Sequence, residues 1–212
     1  MAMNLVKLPT GKPNLQLRVS KGHYATSHSH INYYIDVTLT KFRLSEARAA
    51  AAELIRAYKS TTIVDTILCL DGTEVIGACM ASELTKSGYA NMNAHQTIYV
   101  VTPEHTTGSQ LLFRENTAPM ISGKHILVLA ASVTTGYTVQ GAIEAIRYYG
   151  GEAVGIAAIF ASVDECAGYP VVSIFDTHDL PDYETHDSHS CPWCKQGKKI
   201  DALVNSFGYS SL

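Results

Sequence analysis

Residues 126–138, read as ILVLAASVTTGYT, constrain this chain more than any other stretch. The apolar run from Ile126 to Ala131 has the length and composition of a buried strand, and a helical pattern opens at Val139. Between them lie hydroxyl side chains and one glycine. A strand that enters a helix through such a turn can hold a phosphate. Gly136 lets the backbone come close, Thr134, Thr135 and Thr138 offer hydroxyls, and free amides at a helix start favour an anion. Ser132, Thr134, Thr135, Gly136, Tyr137 and Thr138 are therefore the candidate phosphate ligands. A bare TTG also reads as a turn with threonine caps, but the flanking strand and helix favour the phosphate.

The rest of the chain alternates strands with helices. Leu44, Ala47, Ala51, Leu54, Ile55 and Tyr58 share one helical face, with Glu46 near the start. Thr62 to Leu70 reads as a buried strand, Asp71-Gly72 as a turn, and Val75 to Leu84 as a helix against a sheet. A strand is expected from Thr97 to Val101, then a long polar connection from Thr102 to Gly123, then the strand already described. The helix from Val139 to Tyr149 stops at Gly150-Gly151, and two further strands follow, AVGIAAIF and VVSIF. This order predicts an α/β fold with a parallel sheet flanked by helices. Ligands in such sheets sit outside the carboxyl ends of the strands, so the loops after Leu70, Val101 and Ala131 are expected to share one cleft. Asp71, Gly72, Thr73 and Glu74 are then candidates for ribose, pyrophosphate or metal contact, although Asp-Gly is equally an ordinary turn.

One domain is expected over residues 1–212. The first forty residues read as irregular, with Gly11, Pro13 and a histidine-rich piece at His23, His28 and His30, before a strand-like run INYYIDVTL. Residues 1 to about 42 would form a small lobe. Tyr33 and Tyr34 there either stack on a base or pack the lobe, and His28 and His30 either touch a phosphate or are ordinary loop histidines. The composition changes after Phe175, so about 176–212 reads as a Cys/His tail.

Composition narrows the function. The net charge is −3 with no block of lysine and arginine, which argues against nucleic acid. Apolar runs fall short of the roughly 20 residues of a spanning helix, and the start MAMNLVKLPTGKPN has no signal-peptide core; no membrane partner and a cytoplasmic location are expected. Five cysteines do not make a disulfide framework. Cys69 and Cys79 read as small buried hydrophobes. Cys191 and Cys194 form a CxxC close to His186 and His189, a set that suits tetrahedral Zn2+. A redox pair, or two reduced cysteines in a surface tail, are the other readings of the same motif.

The strand and loop at 126–138 resemble the phosphoribosyl pyrophosphate (PRPP) motif of type I phosphoribosyltransferases. In that family the strand ends in two acidic residues, which fall here at Ala130 and Ala131, followed by the pattern matched by Val133, Thr134, Thr135 and Gly136. The spacing of elements, INYYID and the CPWCKQG tail are similar to the orotate phosphoribosyltransferase branch. The resemblance implies a parallel sheet with helices on both faces, a small N-terminal hood and a homodimer. It also implies transfer of phosphoribose from PRPP to a base, with Mg2+ on the pyrophosphate. A loop lysine and histidine that close on pyrophosphate are represented by His105 without the lysine, with Glu104 beside it and Arg114 as a substitute. A hood lysine falls near Thr26 and an orotate-recognising arginine near Gln140. The resemblance thus implies a phosphoribosyltransferase-like protein with altered or reduced transfer, or a non-catalytic nucleotide or PRPP sensor.

Overall fold

The computed structural model describes residues 3–88, 91–106 and 110–212. The strands and helices run β1 (Val6–Leu8), β2 (Leu17–Ala25), β3 (Ser29–Ile35), α1 (Thr38–Phe42), α2 (Leu44–Leu54), β4 (Thr66–Cys69), α3 (Glu74–Leu84), β5 (Tyr99–Val101) and β6 (Glu104–His105). They continue with β7 (Leu111–Leu112), β8 (His125–Val133), α4 (Tyr137–Tyr148), β9 (Glu152–Ala161), β10 (Glu165–Cys166) and β11 (Tyr169–Phe175). The last four are β12 (Thr185–Asp187), α5 (Pro192–Lys195), β13 (Ala202–Asn205) and β14 (Gly208–Ser211).

The central sheet has the order β10-β11-β9-β8-β4-β5 and is parallel except for β10, which pairs antiparallel with β11. Period-two alternation along β8 divides its side chains between two cores. Leu127, Leu129 and Ala131 pack with Ala47, Ala51 and Leu54 of α2, while Ile126, Val128 and Ala130 pack with Val139, Ala142, Ile143 and Ile146 of α4. Helices thus cover both faces, as the alternating sequence predicts. On the first face α3 comes unusually close, because a side chain on Gly77 would meet Cys69 Sγ at 2.4 Å.

Several boundaries differ from the sequence expectation. The first forty residues are largely sheet, not irregular. Leu17, Arg18, Val19 and Ser20 are all buried, and the polar pair obscures the pattern because its burial depends on side-chain partners that local periodicity does not show. Arg18 forms a two-pronged ion pair with Glu46 of α2 at 2.9 and 2.8 Å, and Ser20 accepts from the Tyr24 hydroxyl at 2.9 Å. INYYIDVTL is not one strand. It turns at Asp36, whose carboxylate accepts from the Thr38 amide at 3.0 Å and opens α1. The connection after Thr102 contains a short hairpin, β6 with β7, and one 3-10 turn at Ala118–Met120; its residues 107–109 lie outside the described residues. Leu44 is half-exposed at the start of α2, off the buried face that holds Ala47, Ala51 and Leu54.

A second sheet, β12-β3-β2-β13-β14 with β1 added to β2, forms the hood. It is built from both ends of the chain: β13 joins β2 in parallel, and β12 pairs with β3 in antiparallel register, His186 opposite His30. Among the described residues no helix is long and apolar enough to cross a membrane.

At the end of the central sheet away from the cleft, Asp65 accepts from both the amide and the ring Nδ1 of His125, each at 2.8 Å. Partial burial alone would raise this carboxyl, but those hydrogen bonds outweigh it and hold the pKa below its ordinary 3.8. Because the folded pKa is the lower one, the stabilisation is present above pH 3.8 and is lost as pH falls through the folded value. Urea unfolding of Asp65→Asn should show a shallower loss of stability in this acid range than the parent chain; an identical acid limb would rule the contribution out.

Candidate functional site

The cleft is built from the phosphate loop upward. Leaving β8, the chain exposes Ser132, buries Val133 and turns at Gly136, which adopts φ 78° and precedes α4. Only glycine takes this conformation without strain. The turn also requires a bare Cα, since a side chain there would lie 2.7 Å from Cys166 Sγ. No side chain caps α4, so its first-turn amides remain available to an anion. The helix starts at Tyr137, two residues before Val139, because Tyr137 and Thr138 continue the turn directly into helical geometry.

Over this loop lies a cavity of about 210 Å³, lined by residues 132–139, Asp71, the hood turn 26–28, Tyr33 and Tyr34 of β3, Asn205 at the end of β13 and Ser206 just beyond it. The hood therefore closes on the loop, and the His28 and Tyr137 rings approach with centroids 5.3 Å apart. Tyr34 is buried, and burial pushes its phenol up to about 12, so it remains a neutral hydroxyl. Tyr33 is held from outside by a 2.8 Å hydrogen bond to Asp182, which also pairs with Lys21. Both tyrosines thus pack the hood and face the cavity.

Asp71 is the carboxylate at the cavity wall. Its φ is 60°, and burial raises its pKa against the opposing influence of the Ser206 hydroxyl at 3.1 Å, the Ala131 amide and nearby Lys41. Lys41 is fully buried behind it, and burial lowers its pKa; it donates to the carbonyls of Asp71 at 2.7 Å and Ser206 at 2.6 Å, tying α1 to the hood. No lysine or arginine lines the cavity among the described residues.

The other sequence candidates fall elsewhere. Gly72, Thr73 and Glu74 do not line the cavity: Thr73 is buried and donates to the Leu70 and Leu129 carbonyls, while Glu74 accepts from Thr102 at 3.0 Å. Thr73 therefore pins a turn. His105 and Arg114 sit on the exposed β6–β7 region, outside the cavity lining, and Arg114 is spent on Glu104 at 2.7 Å. That pairing raises Arg114 and lowers Glu104, so the Glu104 charge is neutralised locally. Ala130 and Ala131 are 1 % and 0 % exposed and belong to opposite cores.

The cysteine pair is also regrouped. His186 faces Glu184 and Trp193, and His189 is exposed; Cys191 and Cys194 instead converge with His23 and His30, all ligand atoms lying within 4.8 Å of one another. Sequence reading missed His23 as a partner, along with Asn205 and Ser206, because strand pairing between β13 and β2 brings them in, and Lys41, which reaches the site from α1. The CxxC and the histidine-rich segment were the available signals.

No family model matches the chain. Over 75 residues it is 33 % identical to the orotate phosphoribosyltransferase of Caldanaerobacter subterraneus subsp. tengcongensis, covering 35 % of this chain and 38 % of that relative. Against the orotate phosphoribosyltransferase of Desulforamulus reducens the identity is 25 % over 178 residues, covering 83 % and 84 %. The first of these matches thus spans well under half of the relative's length. Among solved structures, Mycobacterium tuberculosis orotate phosphoribosyltransferase in complex with Fe(III) dicitrate superposes with a TM-score of 0.54 at 18 % identity, over 77 % of this chain and 92 % of that one. The same enzyme in complex with PRPP gives 0.51 at 18 % identity, over 69 % and 82 %. The chain has a phosphoribosyltransferase fold. Its sequence is homologous to that of orotate phosphoribosyltransferases.

Proposed function

We propose that the cavity binds the 5-phosphate of a phosphorylated ribose compound, a nucleoside monophosphate or PRPP, in a phosphoribosyltransferase-type protein whose transfer step is altered or reduced. The observation that carries this reading is the uncapped start of α4 facing the cavity through the Gly136 turn. The loop amides and the hydroxyls of Ser132, Thr134, Thr135 and Thr138 would hold the phosphate, Tyr33 and Tyr34 would border the base, and Asp71 would accept from a ribose hydroxyl.

The transfer step is where this chain departs from the family pattern. Breaking the glycosidic bond develops positive charge on the ribose, which nearby carboxylates stabilise. Ala130 and Ala131 contribute methyl groups to two cores and no charge. Nor do the residues present fit a protein-held Mg2+, for among the described residues Asp71 is the single carboxylate lining the cavity, and it already accepts from Ser206 and the Ala131 amide. Mg2+ is commonly bound through one or two carboxylates together with substrate phosphates, so the ligand's own phosphates would have to supply most of the coordination. The absence of lining lysine and arginine among the described residues also gives a pyrophosphate no counter-charge, and this favours the second reading, a sensor that binds a nucleoside monophosphate without turnover.

Calorimetric titration with PRPP and nucleoside monophosphates, with and without Mg2+, followed by a pyrophosphate-release assay over several bases, tests these statements. Monophosphate binding without Mg2+ and without release supports the sensor; release supports a working transferase; no binding by any of them refutes the phosphate reading. Asp71→Asn should weaken nucleoside monophosphate about tenfold, or about 1.4 kcal/mol, while inorganic phosphate is unaffected. Equal effects on both ligands would rule out the ribose contact. The homodimer implied by the family resemblance belongs to the same proposal, and sedimentation reads it directly.

A further inference from the structure

The hood carries a second constellation, some way from the phosphate loop in sequence. His23 of β2, His30 of β3, Cys191 just before α5 and Cys194 within it point their side-chain donors at a common centre. His23 Nε2 lies 3.1 Å from His30 Nδ1, 3.6 Å from Cys191 Sγ and 3.7 Å from Cys194 Sγ, and Cys194 Sγ lies 3.2 Å from His30 Nδ1. A tetrahedral ion with zinc bond lengths of about 2.3 Å to sulfur and about 2.05 Å to nitrogen has edges of about 3.3 Å between nitrogens and about 3.6 Å between nitrogen and sulfur. The observed separations scatter around those edges.

The surroundings suit a metal too. His23, His30 and Cys191 are buried. His23 Nδ1 lies 3.1 Å from both the Lys198 and Lys199 carbonyls, so it donates there, and the lone pair of Nε2 is left facing the centre. A backbone carbonyl fixing the imidazole tautomer is the usual support for a ligating histidine. Two histidines and two cysteines leave no open position, which is the composition of a structural zinc site and not a catalytic one. Without an ion, two thiols and two imidazole acceptors would crowd one partly buried volume.

We propose that His23, His30, Cys191 and Cys194 bind one structural Zn2+ that staples the C-terminal segment to the β2–β3 hairpin. His23 and His30 stand on opposite strands of that hairpin, and its turn, residues 26–28, forms part of the cavity wall. The metal would therefore hold the turn in place from behind without touching the cavity. His186 and His189 take no part.

Metal analysis of the untagged full chain should find close to one zinc per chain. Cys191→Ser and His23→Gln should lose it, while His186→Gln and His189→Gln should keep it. Exchange for Co2+ should give the intense visible bands of a tetrahedral site together with thiolate charge-transfer absorption, and this readout needs no variant to fold. Chelation should lower the thermal midpoint of the parent chain. A chain that takes up neither zinc nor Co2+ in tetrahedral form, or that carries a Cys191–Cys194 disulfide when purified under reducing conditions, overturns the site. Undiminished zinc in Cys191→Ser does so as well, and loss of zinc in His186→Gln would overturn this ligand set.

Discussion

Gly136→Val is expected to reduce phosphate-ligand binding about a hundredfold, equivalent to about 2.7 kcal/mol. Two costs combine at this position. At φ 78° the backbone lies in the left-handed region, where an L-residue pays about 1–2 kcal/mol and a β-branched one is further restricted. The added carbon would also collide with Cys166 Sγ at 2.7 Å. The turn must then move, and the amides at the start of α4 move with it. Each hydrogen bond to a charged group is worth about 1.5–3 kcal/mol, so losing one or two accounts for the expected drop. Calorimetry with a nucleoside monophosphate measures it, and thermal unfolding shows whether the fold survives. Gly136→Ala combined with Cys166→Ala relieves the collision while keeping the backbone strain and should fall between the parent and the valine variant. Unchanged affinity in Gly136→Val would mean that this loop does not hold the phosphate.

Arg18→Leu is expected to cost about 3–5 kcal/mol of folding stability, the usual consequence of removing one partner of a buried pair. Arg18 and Glu46 side chains are each 7 % exposed, and the guanidinium meets both carboxylate oxygens. In the variant Glu46 would retain only Arg43 at 3.8 Å and the Thr40 hydroxyl at 3.5 Å. This pair joins the hood strand β2 to α2, so its loss should loosen the hood as well as the core. Urea unfolding measures the cost. Adding Glu46→Leu should restore much of the stability, since a hydrophobic replacement of both partners avoids an unpaired buried charge; a double variant as unstable as the single would show that lost packing dominates.

The central sheet was legible because β4, β8 and β9 are continuous apolar runs ended by turn residues, and α2 and α4 carry an apolar face at helical spacing. The Gly136 turn was legible for a related reason: a hydroxyl-rich glycine segment between strand and helix has few other uses. The hood was not. Arg18, Ser20 and His23 interrupt the apolar pattern of β2; Arg18 is accommodated by Glu46 and His23 by Cys191 with Cys194, all far along the chain, while Ser20 is met by Tyr24 of the same strand. Local periodicity carries no information about such partners. The same reason explains why His186 and His189 were read as partners of the CxxC: they are near it in sequence, whereas His23 and His30 reach it through the pairing of β12 with β3 and of β13 with β2. In sequence Arg114 stands as a substitute for the missing loop lysine, and its pairing with Glu104 across the β6–β7 region is visible only with the hairpin.

The union of β2 and β3 with β12 and β13 gives the cleft an order of manufacture. During synthesis the central strands and the Gly136 turn leave the ribosome well before residues 202–205, yet β13 must dock on β2 before Asn205 and Ser206 can complete the wall. Until β13 is made and paired, the wall above the phosphate loop lacks Asn205 and Ser206. Until that late pairing, the face of the hood that will meet β13 is an unpaired strand edge, exposed to association with other chains.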